Sequence, residues 1–218
     1  MATSHEDRNV DIHLGEHTLR GILNVPAEAR AIVVFVHGSG SSRLSPRNQM
    51  VARALQQAGL ATLLFDLLDE REEEDRNKVF NIELLADRLQ AAADWLMTEE
   101  SSRNLPLGYF GASTGAAAAL LATARQPWRV RAIVSRGGRP DLVMDDLPRV
   151  PSPTLLIVGG NDQSVLYLHE EVMLGLRCPS ELAVIPGAGH LFEEPGALEK
   201  VAELARDWFL RCFAAPQR

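Results

Sequence analysis

Short continuous apolar runs alternate along this chain with longer amphipathic stretches. The runs occupy residues 31–36, 60–65, 107–110, 130–134, 154–158 and 182–185, and most are rich in β-branched or aromatic residues. Runs this short without alternation read as strands covered on both faces, and six of them predict a mainly parallel sheet. Between them, Val51, Ala54, Leu55 and Ala58 repeat at helical spacing and stop at Gly59, a helix-ending signal. Ile82, Leu85, Leu89, Ala93 and Leu96 form a second stripe, and Leu198, Val201, Ala205, Trp208 and Phe209 a last one. Each predicts a helix packed on the sheet. Ahead of the first run, segments 10–14 and 18–25 flank a turn at Gly15–Glu16 and read as an antiparallel hairpin at the sheet edge. The pattern predicts one α/β domain over residues 1–218, with about eight strands and helices on both faces. The connection 135–153 is short and proline-rich, which leaves no room for a lid domain.

Composition fits a globular chain: 218 residues, 46% hydrophobic and 23% charged. The net charge of −7 argues against sequence-independent binding to nucleic acid or anionic lipid, which needs a cationic surface. Seven acids and one base lie between Asp66 and Asp75, so this segment holds nearly all of that charge, and it reads as a solvated loop that could screen one side of a cleft. The polar first ten residues lack a secretory pattern, and the apolar runs are far too short to span a membrane. With only Cys178 and Cys212, at no metal or redox spacing, free thiols and a cytoplasmic location are expected.

The candidate chemistry begins after the third buried run, where Gly111-Ala-Ser113-Thr-Gly115 leads into an alanine-rich helix. Gly-x-Ser-x-Gly between strand and helix predicts a sharp turn that lifts the serine above the sheet, with glycines where a Cβ would strike the neighbouring strand and helix. A serine hydroxyl needs a base, and the base needs a carboxylate to fix its tautomer. Of six histidines, His5, His13 and His17 fall in the tail or hairpin, and His169 is read onto a helix surface. His190 follows the last strand in a glycine-rich loop, where the bland alternative is a solvent-exposed ring. Asp162 follows the fifth buried run, where it could instead cap a helix beginning near Ser164. Ser113, Asp162 and His190 thus stand in the order nucleophile, acid, base, each beyond the C-terminal end of a different strand. His37-Gly38 follows the first buried run, and the backbone amides of Ser39 and Thr114 are the expected oxyanion hole. His37 itself is read as a structural hydrogen-bonding residue rather than a second base.

On these residues the chain resembles the α/β-hydrolase superfamily across nearly its whole length, and most of all the small, lidless dienelactone hydrolase-like group. The resemblance implies a carboxylic ester hydrolase working through an acyl-serine, with no cofactor and with small-molecule esters, short acyl groups above all, as substrates. One departure is visible. The dienelactone hydrolases proper use a cysteine nucleophile where this chain has Ser113, which shifts weight from dienelactones toward simple esters. Thioesterase, acyltransferase, lactone hydrolase and small peptidase remain alternatives with the same triad, and a catalytically silent ligand-binding protein is the alternative from another class. Arg43, Arg47, Arg136 and Arg139 all fall in loops at the catalytic edge. They are either loop-pinning salt bridges, with Asp141 one partner, or ligands for a substrate carboxylate. No P-loop, dinucleotide fingerprint or zinc-binding pattern is present in the sequence, so no metal site is expected.

Overall fold

The structure, a computed structural model, describes residues 7–215; His5 lies outside the described residues. In chain order the elements are β1 (Arg8–Leu14), β2 (His17–Asn24), β3 (Ile32–Val36), α1 (Pro46–Gln57), β4 (Ala61–Phe65), α2 (Arg76–Val79), α3 (Ile82–Thr98), β5 (Leu107–Ala112), α4 (Thr114–Arg125) and β6 (Val130–Arg136). A 3-10 segment (Pro140–Arg149), β7 (Thr154–Gly159), α5 (Gln163–Gly175), β8 (Ser180–Ile185) and α6 (Ala197–Ala214) complete them. The eight strands form one sheet in the order β1-β2-β4-β3-β5-β6-β7-β8. The hairpin β1–β2 and the β2–β4 pair are antiparallel, and every pair from β4 to β8 is parallel.

Strand periodicity divides the interior in two. Ile32, Val34 and Val36 of β3 enter one core with α3, α4 and α5, whereas Val33 and Phe35 enter the other with α1 and α6. Strands that must be apolar on both faces therefore show no alternation, which is why the runs are continuous. Helices α1 and α3 begin where side chains satisfy their first amides: Ser45 accepts from the Asn48 N–H with Pro46 at the first turn, and Asn81 accepts from the Leu84 N–H. Among the described residues no helix is long and apolar enough to cross a membrane. Cys178 and Cys212 are free thiols.

Three features differ from the sequence expectation. β8 is an edge strand, half-buried rather than covered on both faces, with Val184 exposed. β5 and β6 run on past the apolar residues, because Gly111–Ala112 and Ser135–Arg136 continue the same parallel ladder. The acidic segment is not simply solvated: Asp66 and Glu72 are buried, Asp66 against Arg43 and Glu72 against Lys78 and Arg88.

The strand order fixes where a ligand can enter. The chain leaves β3 through α1 toward β4 on one side, while β5 lies on the other side of β3. The loops beyond β3 and β5 therefore diverge and open a crevice at the C-terminal edge of the sheet.

Candidate active site

The turn between β5 and α4 holds Ser113 at φ +50°, one of two non-glycine residues with positive φ among the described residues. Such a conformation costs about 1–3 kcal/mol in a residue with a Cβ and persists only where the surroundings impose it. Here they do. A Cβ on Gly111 would lie 2.5 Å from the Ala116 Cα, and one on Gly115 only 2.1 Å from the Val36 carbonyl oxygen. The bare backbone lets α4 pack directly over the ends of β5 and β3. On the β6 side the Ser113 N–H donates to the Arg136 carbonyl (3.3 Å) and the Arg139 N–H donates to the Ser113 carbonyl (3.0 Å). The Ser113 side chain makes no capping bond to α4, so its hydroxyl is not used by its own helix.

Asp162 occupies the residue before α5, the position from which an aspartate ordinarily caps a helix, yet its side chain makes no such bond. It turns to the His190 ring instead, with Oδ2 2.7 Å from Nδ1. The two loops that bring them together are tied by backbone and side chain: the Asn161 N–H donates to the Ala188 carbonyl (2.9 Å), and Asn161 Nδ2 donates to the Gly187 carbonyl (2.8 Å). The His190 loop is closed from its other end by the Gly189 N–H donating to Glu194 Oε1 (2.9 Å). With Nδ1 directed at a carboxylate, it carries the ring proton and Nε2 is left as the basic nitrogen. Gly137, the residue after β6, has His190 Cε1 3.6 Å from where its Cβ would be, so the His190 loop lies against the loop that anchors Ser113.

His37 is committed elsewhere. Its Nδ1 donates to the Gly38 carbonyl (2.9 Å) and its Nε2 accepts from the Leu67 N–H (3.1 Å). Burial, the largest influence, holds its pKa below the usual histidine value, so the ring is neutral and serves as a strut between the β3 turn and the acidic segment. The Ser39 N–H, one expected oxyanion donor, points to the Thr114 side chain and donates to Oγ1 (3.0 Å). That hydroxyl contact is invisible in the sequence. The Thr114 N–H lies in the first turn of α4, where helix amides have no partner within the helix. The Gly38 Cα faces Ser113 so closely that a Cβ there would be 2.8 Å from the Ser113 Cβ; the two turns meet.

A cleft of about 490 Å³ opens beside the β3 turn. Ser39, Ser41, Ser42 and Arg47 line it, together with Leu67, Leu68 and Glu73 of the acidic segment. The four arginines are placed differently. Arg43 pairs with Asp66, and Arg139 holds Asp141 through two bonds of 2.9 and 2.8 Å, so both pin loops. Arg47 reaches Glu193 at 3.2 Å, and Arg136 is buried at the end of β6. His169, expected on a helix surface, is fully buried under the 3-10 segment, donating from Nδ1 to the Val165 carbonyl (2.7 Å). Away from the cleft, His17, Asp69 and Glu72 bring ligand-type atoms within 4.8 Å of one another. They are already engaged as an ion-pair network, His17 with Asp69 and Glu72 with Lys78 and Arg88.

The sequence model of the serine aminopeptidase S33 family matches residues 27–138. A Mycobacterium tuberculosis protein named as a phosphoribosyl transferase is 55% identical over 210 residues, covering 96% of this chain and 47% of that protein. The chain thus spans about half the length of the curated relatives it matches. Among solved structures, a dienelactone hydrolase from Anabaena variabilis superposes with a TM-score of 0.92 at 53% identity, over 95% of this chain and 98% of that one. Est1E from Butyrivibrio proteoclasticus shares the fold alone, with a TM-score of 0.82 at 16% identity, over 95% and 99% of the two chains. From its matched half, its parallel sheet and a near-complete structural relative at over 50% identity, this chain belongs to the serine aminopeptidase S33 family of the α/β-hydrolase superfamily.

Proposed function

We propose that the protein is a serine-dependent carboxylic ester hydrolase. Ser113 is the nucleophile, His190 the general base and Asp162 the residue that orients it. The observation that carries this reading is the Asp162 side chain, which forgoes its helix to take His190 Nδ1 at 2.7 Å. Neutral Nε2 removes the Ser113 proton as Oγ attacks the ester carbonyl, and the same proton then goes to the departing alkoxide. Water attacks the acyl-serine with His190 again as base, which releases the carboxylic acid and restores the serine. The carbonyl oxygen, as it becomes an oxyanion, takes the Ser39 and Thr114 amides; at Ser39 it replaces the Thr114 hydroxyl as acceptor. No step calls for a cofactor. The polar and apolar walls of the cleft suit a small, partly apolar ester.

Lactone hydrolysis is a second reading, favoured by the 53% identity to a protein described as a dienelactone hydrolase. It is the same attack on a cyclic ester. The phosphoribosyl transferase name belongs to proteins about twice as long, and the residues assembled here supply acyl chemistry instead. Labelling with a fluorophosphonate and hydrolysis of p-nitrophenyl acetate test the reading together. Wild type should be labelled at Ser113 and should turn over, and Ser113→Ala should lose both by several orders of magnitude. A Ser113→Ala protein with near-wild-type turnover overturns it.

A further inference from the structure

Arg136 is the anomaly among the four arginines; of these Arg47 lines the cleft, and Arg136 lies near it at the end of β6. Only 8% of Arg136 is exposed, its Nε and Nη1 are buried without a hydrogen-bond partner, and it forms no ion pair among the described residues. The charge that acts on it is Arg47, of like sign; burial first and Arg47 second push its pKa down to about 10, so it remains a cation at neutral pH. Arg47 adds an unpartnered buried Nε of its own, and the first turn of α1, where it sits, carries no acid. A buried cation without a counter-charge is costly, and an anion arriving from outside would offset that cost.

The surroundings fix this guanidinium rather than neutralise it. Arg136 pairs with Ala112 at the end of the ladder, and its carbonyl holds the Ser113 N–H. Its guanidinium carbon lies 6.0 Å from the centre of the Phe192 ring. Phe192 has φ +56° and is, with Ser113, the other strained non-glycine residue among the described residues. Strain gathers where function demands it. An aromatic ring satisfies the face of a guanidinium and leaves its N–H edges for a planar or tetrahedral oxyanion.

We propose that Arg136, with Arg47 beside it, forms an oxyanion-binding subsite that holds a carboxylate or phosphate group carried by the ester substrate. The proposal rests on the esterase reading for what the anion is attached to, and on Arg136 alone for the anion. Glu193, exposed and paired with Arg47, occupies that arginine until the anion competes for it.

Calorimetric binding to the Ser113→Ala protein separates this from turnover. Monomethyl succinate should bind at least about tenfold more tightly than dimethyl succinate, as one charge-assisted pair provides. Inorganic phosphate run alongside identifies the preferred oxyanion by which of the two binds more tightly. Arg136→Met should abolish the preference, Arg47→Gln, at a half-buried position, should reduce it several-fold, and Glu193→Gln should increase it. Equal binding of mono- and diester together with no phosphate binding, or a preference that survives both arginine substitutions, overturns the subsite. Loss of fluorophosphonate labelling in the wild type would instead overturn the esterase, and the two failures are read from different proteins.

Discussion

Replacement of Asp162 separates the two roles that its position permits. An aspartate at the residue before a helix ordinarily accepts an amide hydrogen bond, and replacing such a cap with alanine costs about 1 kcal/mol. Asp162 makes no such bond to α5. What Asp162→Ala removes from the fold is the attraction of one carboxylate for a helix N-terminus, about 0.3–1 kcal/mol. What it removes from the site is the side-chain hydrogen bond that fixes the His190 ring, at 2.7 Å. Losing the orienting acid of a serine triad costs about 10⁴ in kcat, or about 5–6 kcal/mol of transition-state stabilisation at 1.36 kcal/mol per decade. Activity should therefore fall by an amount about ten times larger, in free energy, than stability does. Urea unfolding and p-nitrophenyl acetate kinetics on one preparation measure both, and Asp162→Asn, which keeps the shape, should lose nearly as much kcat. If Asp162→Ala instead loses 1 kcal/mol or more of stability and keeps kcat within tenfold, Asp162 is a helix cap and the dyad has no catalytic part.

Two further outcomes follow from buried charge. Glu72→Ala strands Arg88, its buried partner at 2.9 Å, and should destabilise the protein by about 3 kcal/mol in urea unfolding; a loss below 1 kcal/mol would show that solvent reaches this pair. His37 and His169 both have pKa values held below the usual one, chiefly by burial. The unfolded chain then binds protons first, so stability is full above about pH 6.5 and declines as pH falls below it, by at most 1.36 kcal/mol per pH unit for each ring. His169→Gln should flatten the decline of Tm between pH 6.5 and 5, and a curve parallel to wild type would place the acid sensitivity elsewhere.

The elbow was legible because its spacing encodes contacts. Gly111 and Gly115 are glycines for the reason the motif requires, the approach of α4 to β5 and β3. The order Ser113, Asp162, His190 was legible because each follows a strand that the apolar runs disclose. What the sequence left open was side-chain direction. Asp162 fits a cap or a dyad equally in one dimension, and only the docking of its loop onto the 187–190 loop decides. His169 was misplaced because a single apolar stripe defines one buried face. α5 is covered on a second face by the 3-10 segment, which lies in what the sequence presents as a short proline-rich connection. β8 looked fully buried because a continuous apolar run does not reveal that, among the described residues, no strand pairs with its outer edge.

Charge shows the same limit and sharpens the site. The acidic segment, read as a solvated loop, keeps Asp66 and Glu72 buried because cations arrive from Arg43 and Arg88, distant in sequence. Those pairs anchor it where Leu67, Leu68 and Glu73 wall the cleft. Arg47 also lines the cleft, paired with the exposed Glu193, and its charge acts on the buried Arg136. A net charge of −7 is therefore no guide to the field that a substrate meets. Inside a crevice of low polarisability, position outweighs the total. With the subsite as proposed, an anionic group would be drawn to the arginines and repelled by Glu73, so that the two ends of a charged ester would be sorted before the carbonyl reached Ser113. Orientation of that kind contributes to the rate as well as to binding, because the reacting atoms must meet within a fraction of an ångström. Arg136→Met should on this ground lower kcat for an anionic ester, beyond its loss of affinity.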